Sequence, residues 1–238
     1  MRIDNIEIEE GGLTIVAGRP AMGKSVFCQS MIKDLLHSHK ENGEIALFIL
    51  DYTNYYGYSY YASGKQRAKE SQWMRFAGQH PTVNLIHDDG MCFGQFSTIL
   101  GYLRKHTPVK YIFVDSVRIL SERSYFHNEY VFDQTEIARF LVKMAEQYNV
   151  SIIAEFNADR RLEKRSDKHP RVWDLNIKDD VLSNVSSIVL VYRDWYYSRM
   201  DLFPEQRNKK NKMDIEFIQF GKKKFEWDSN YIEPDPDE

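Results

Sequence analysis

What most constrains this chain is a change of pattern between Leu13 and Leu36. A β-branched apolar run, Thr14 to Ala17, meets Gly18 and Gly23, and then Lys24, Ser25 and an amphipathic pattern that continues to Leu36. The period switches from that of a strand to that of a helix across a loop bracketed by glycines. Gly18, Arg19, Pro20, Ala21, Met22, Gly23, Lys24 and Ser25 have the form G-x-x-x-x-G-K-S, a Walker A phosphate loop, with Val26 following in the helix. Glycine lets the backbone turn tightly and aim successive N–H groups inward, where the positive end of the helix joins them. Lys24 then supplies a point charge for the β- and γ-phosphates, and the Ser25 hydroxyl can ligate Mg²⁺. The loop implies a nucleoside triphosphate and leaves its use open.

The chain is long enough, at 238 residues with 42% hydrophobic content, to bury one large α/β core. One domain over 1–230 is expected, followed by an acidic disordered tail over 231–238 that ends in EPDPDE. A formal net charge of -3 argues against coating nucleic acid through global charge, so any such contact must come from a local patch. The first residues, MRIDNIEIEEGG, contain no apolar signal core, and no run is long enough to span a bilayer. A cytosolic protein without a membrane contact is expected. Cys28 and Cys92 have no metal-ligand company and are read as reduced thiols.

Taken in order, Ile3, Ile6 and Ile8 suggest a short leading strand. The runs Glu44 to Leu50, Val83 to His87, Lys110 to Asp115, Val150 to Phe156 and Ser187 to Tyr192 read as buried parallel strands. Helical patterns fill Lys65 to His80, Gln95 to His106 and Phe132 to Tyr148, the last with Ile137, Phe140, Leu141, Met144 and Ala145 on one face. Met213 to Gln219 and Lys223 to Trp227 read as a closing antiparallel hairpin.

Three strand ends carry chemistry. Asp51 ends the run EIALFIL, where it can orient an attacking water or cap the next helix, two roles that position alone weights equally. Asp115 ends KYIFVD, a Walker B pattern that would hold Mg²⁺ through water opposite Ser25. Asn157 ends VSIIAEF and offers a neutral donor able to sense a terminal phosphate. The following loop, Ala158 to Arg171, sets six basic side chains against three acidic ones, which suits either phosphate contact or plain solvation.

These residues carry a resemblance. The segments GGLTIVAGRPAMGKS, LFILDYT, YIFVDSVRIL, NVSIIAEFNADRRLEKRSDKHPRVWDL, SIVLVYRDWYY and EQRN span nearly the whole chain, in order. Together they resemble the C-terminal ATPase domain of DnaB-type replicative DNA helicases. The resemblance implies an α/β RecA-like P-loop fold: a mostly parallel twisted sheet flanked by helices, with a short C-terminal antiparallel hairpin. It implies ATP and Mg²⁺ as ligands, Lys24 and Ser25 on phosphate and metal, and Asp115 as the Walker B acid. Asp51 stands where the family has a catalytic glutamate and Asn157 where it has a sensing glutamine, each one methylene shorter. A carboxylate about an ångström short of its water can lose on the order of a hundredfold in rate, so slow hydrolysis is implied.

Arg207 matches an arginine that reaches into a neighbouring subunit's site, with Glu205 in place of a family lysine. Single-stranded DNA would be gripped near Arg160, Arg161, Lys164, Arg165 and Lys178. Where the family usually has Arg-Glu-Ser-Gly after Asp174 and Leu175, this chain has Asn176, Ile177, Lys178 and Asp179. A homo-oligomer, a hexamer if the family ring is kept, is implied, and the family's N-terminal domain is expected to be missing. The alternative is a DnaB-derived accessory or regulatory protein that holds ATP without helicase activity.

Overall fold

The computed structural model describes residues 2–3, 6–8, 10–38, 43–50, 72–87, 91–117, 120, 133–193, 214–220 and 225–228. Two short strands, β1 (Arg2–Ile3) and β2 (Ile6–Glu7), pair antiparallel with Ile3 opposite Ile6, so the expected single leading strand is a small ladder. The main sheet begins with β3 (Leu13–Gly18), which feeds α1 (Lys24–Ser38) and then β4 (Ile45–Ile49). Next come α2 (Gln72–Gln79), β5 (Asn84–His87), α3 (Phe93–His106), β6 (Tyr111–Asp115), α4 (Gln134–Tyr148) and β7 (Ser151–Asn157). The chain then passes through two 3-10 turns, Arg160–Lys164 and Val172–Leu175, to α5 (Asp179–Leu182) and β8 (Ser187–Tyr192). It closes with β9 (Asp214–Phe220) and β10 (Phe225–Asp228).

The eight strands lie in the order β10-β9-β8-β3-β7-β6-β4-β5. From β8 to β5 every pairing is parallel, and β9 and β10 add antiparallel at one edge. The expected hairpin is therefore the continuation of the main sheet, with Ile188 opposite Ile218. A parallel sheet covered on both faces needs strands apolar throughout, which is why the runs IALFI and SIVLVY show no polar alternation.

Period two divides each strand between two cores. Leu13, Ile15, Ala17, Ile112, Val114, Ile152, Ala154 and Phe156 join α3 and α4 on one face. Val16, Tyr111, Phe113 and Ile153 join α1 and α2 on the other, against the stripe Phe27, Cys28, Met31, Ile32 and Leu35. Helix α4 is fixed at both ends: the Asp133 carboxylate accepts from the Thr135 N–H at 2.8 Å, and Asn149 closes it in the left-handed conformation. No described helix is long and apolar enough to cross a membrane.

Candidate active site

The alternation that builds the α1-side core continues into polar residues at the strand ends. On β6, Tyr111 and Phe113 face α1, so Asp115 follows on that face; on β7, Ile153 does the same for Glu155 and Asn157. The register pairs Gly18 with Asn157, so the phosphate loop leaves β3 beside Asn157, and the Ala158 N–H donates to the Gly18 carbonyl at 3.2 Å. The loop then brings Lys24 and Ser25, the first residues of α1, over the same spot. Gly23 sits at φ +101°, a conformation that favours glycine.

Lys24 is only 8% exposed. Its Nζ donates to Asn157 Oδ1 at 3.1 Å and to the carbonyls of Gly18 and Arg19 at 3.3 Å. Burial draws its pKa down, against the opposing pull of the Glu155 and Asp115 carboxylates. Because Asn157 Oδ1 faces the ammonium, its amide Nδ2 remains as the donor for a ligand.

Ser25 Oγ lies 3.0 Å from Asp115 Oδ2 and 3.1 Å from Glu155 Oε2. Asp115 is buried, and its Oδ2 also accepts from the indole Nε1–H of Trp73 on α2. Glu155 is just 3% exposed, and burial followed by the nearby Asp115 charge pushes its carboxyl pKa well up, against Lys24, Ser25 and the Cys28 thiol. Burial likewise raises the Cys28 thiol well above its ordinary value. Arg193, at the end of β8, lies across the phosphate loop: a Cβ on Gly23 would meet its Nη2 at 2.6 Å, and its buried Nε has no hydrogen-bond partner among the described residues.

The donor set fits Mg²⁺ and a triphosphate. The side-chain atoms that meet Ser25 Oγ are carboxylate oxygens, the hard-ligand environment that suits a small divalent cation. Among the described residues, Glu155 Oε1 is buried without a partner, and Arg193 holds an orphaned N–H beside the loop that would cradle phosphate.

Of the residues singled out in the sequence, the fold brings together Gly18, Lys24, Ser25, Asp115 and Asn157. Met22 is buried, Pro20, Ala21 and Val26 are exposed, and Arg19 turns outward to bind Glu163 Oε1 at 2.8 Å and the Ala158 carbonyl at 3.0 Å. Asp51, Glu205 and Arg207 lie outside the described residues; β4 is followed as far as Leu50, whose N–H donates to the Asp115 carbonyl. Local pattern conceals three participants. Glu155 is absorbed into a strand, Arg193 directly follows one, and Trp73 lies in a helical pattern. The usable signal is Glu155, a charge inside an otherwise apolar buried strand.

The basic loop is built rather than loose. Asp159 accepts from the Arg161 backbone and guanidinium and from the Asn176 amide, which together pull its carboxyl well below the usual range. Arg165 binds Asp174 through two bonds of 3.0 and 2.8 Å and also reaches the Asp167 and His169 carbonyls, so it is held inside the loop. Arg160, Arg161, Lys164 and Lys178 are exposed, as is Trp173, which lies under the Arg171 guanidinium. After Lys178 the chain forms the short helix α5, with Asp179 and Asp180 exposed in its first turn.

This sheet with its loop and strand-end residues defines a RecA-like ATP-binding domain. The profile of the DnaB-like helicase C-terminal domain matches residues 7–224, and the chain belongs to that family. It is 24% identical over 216 residues to the replicative DNA helicase DnaB of Buchnera aphidicola subsp. Baizongia pistaciae, covering 82% of this chain and 45% of that protein. It is 22% identical over 206 residues to the replicative DNA helicase DnaC of Bacillus subtilis, covering 80% and 45%. The chain thus spans about half the length of the curated relatives it matches. Among solved structures, an ATPase domain superposes with a TM-score of 0.59 at 18% identity, covering 87% of this chain and 82% of that one. A DnaB-like replicative helicase, in a structure describing its interactions with primase, gives 0.56 at 18% identity, covering 89% and 56%.

Proposed function

We propose that this chain is the ATP-binding and ATP-hydrolysing domain of a DnaB-type helicase, acting on single-stranded DNA in replication. The observation that carries this is the convergence of Lys24, Ser25, Asp115 and Asn157 at the end of the parallel sheet, beside a glycine-bracketed phosphate loop. The loop N–H groups and Lys24 hold the β- and γ-phosphates, and the Asn157 amide N–H orients on the terminal one. Ser25, with Asp115 behind it, would hold Mg²⁺, which supplies charge neutralisation for the phosphate oxygens. Arg193 adds a cation over the loop. Asp51 orients the attacking water, and Arg207 reaches a neighbouring subunit's site in a homo-oligomer, hexameric if the ring is kept. Arg160, Arg161, Lys164 and Lys178 are the candidates for the DNA phosphates. Arg165, tied to Asp174, positions the loop instead.

Titration calorimetry with ATP and Mg²⁺ tests the site: Lys24→Ala should abolish binding, and undiminished affinity would sink the assignment. Turnover with and without single-stranded DNA then tests the motor. The accessory-protein reading is favoured by one feature, the exposed Asp179 and Asp180 where a DNA phosphate would approach. ATP binding with no response of turnover to DNA would select it.

A further inference from the structure

Glu155 has no role in the scheme above, and its surroundings demand one. It lies on β7 opposite Val16 of β3, buried between strands that are apolar on either side. One oxygen, Oε2, is 3.1 Å from Ser25 Oγ, which is also 3.0 Å from Asp115 Oδ2. The hydroxyl has one hydrogen and can donate to one carboxylate at a time. The other oxygen, Oε1, is buried without a hydrogen-bond partner among the described residues, and the Cys28 thiol, a weak donor, also acts on the carboxyl. Burying a carboxyl group half-satisfied is costly, and a structure keeps such a group where something arrives to satisfy it.

We propose that Glu155 is a second carboxylate of the divalent-cation site, so that Ser25, Asp115 and Glu155 together hold the cation before nucleotide enters. A site with a hydroxyl and one carboxylate takes Mg²⁺ chiefly from the nucleotide's phosphates. Two carboxylates and a hydroxyl in one buried cluster make an oxygen donor set that attracts the ion unaided. Lys24, whose Nζ is turned to Asn157 and the loop carbonyls, stays available for phosphate. The residue therefore sets the order of loading, cation first. The inference rests on the nucleotide-site reading for its purpose, but not for its test.

The test is binding of Mn²⁺ alone to the full chain, free of nucleotide, followed by loss of the free-ion paramagnetic resonance signal. One ion per chain is expected. Glu155→Leu and Glu155→Gln should each weaken it about tenfold or more, at least the loss that follows removal of a partner of a metal's ligands. Glu155→Leu should retain or raise thermal stability, since it replaces a half-satisfied buried carboxyl by an apolar side chain. Lys24→Ala should lose ATP and keep Mn²⁺. Equal Mn²⁺ affinity in the parent and both Glu155 variants, or no Mn²⁺ uptake by the parent, overturns the proposal and leaves Glu155 a structural partner of Ser25. Failure to bind ATP with Glu155-dependent Mn²⁺ uptake intact would overturn the nucleotide reading alone.

Discussion

Asn157 illustrates how little a side chain's name says without its neighbours. An amide carries two donors and an acceptor, and here Lys24 occupies the acceptor, so the donors are what the proposed function assigns to the terminal phosphate. Asn157→Ala should leave ATP affinity nearly unchanged and slow single-turnover hydrolysis by about a hundredfold, the scale of losing one placed donor to developing charge. A loss of affinity with an unchanged rate would assign Asn157 to holding Lys24 in place. Residues of this kind are legible in the sequence because strand ends beside a phosphate loop are where such chemistry is expected, and both Asp115 and Asn157 end apolar runs. Glu155 is legible only as an exception, because a strand pattern averages over its members and one acid among SIIAEF does not change the average. Trp73 is hidden for a different reason: its partner, Asp115, is 42 residues away in sequence, and no local period reports a contact of that range.

At the scale of elements, the loop between β7 and β8 departs most from its sequence reading. Its charges suggest solvated or phosphate-seeking side chains, yet many are satisfied by one another, and two 3-10 turns and a short helix occupy the stretch. Spacing could not reveal this, since opposite charges two to nine residues apart pair only after the backbone has turned. Two of the acids have lowered pKa values. For Asp159 the cause is the Arg161 side chain, then its backbone N–H and the Asn176 amide. For Asp167 burial works upward and is outweighed by bonds from His169 and Arg171.

A carboxyl depressed in the folded state contributes stability that is complete above its unfolded value, about 4, and is lost as pH falls through the folded value. Amide protection in residues 159–176, taken relative to the intrinsic exchange rate at each pH, should therefore fall progressively below about pH 4. Asp159→Asn should already exchange faster at neutral pH and respond less to acid. Protection that does not change with acid would contradict the pairing.

For the whole molecule, the sheet is the part most legible in the sequence. Buried parallel strands announce themselves as short apolar runs, and those runs are observed as β4 to β8; their spatial order comes only with the structure, because order depends on crossovers and not on local pattern. The assembly reading belongs to this scale and rests on Arg207. If that residue completes a neighbour's site, Arg207→Ala and Lys24→Ala, each inactive alone, should regain turnover when mixed, through interfaces joining an intact loop to an intact arginine. Absence of recovery at every mixing ratio would argue against a shared site.

The clasp of Arg19 on Glu163 and on the Ala158 carbonyl has a further consequence for the molecule at work. Arg19 is the second residue of the phosphate loop, and Glu163 lies within the first turn of the basic loop. The two loops are tied at that point, and under the proposed function a shift of the phosphate loop on filling or emptying would pull on Arg160 to Lys164. On that reading, nucleotide and DNA would be coupled through the reach of a single guanidinium.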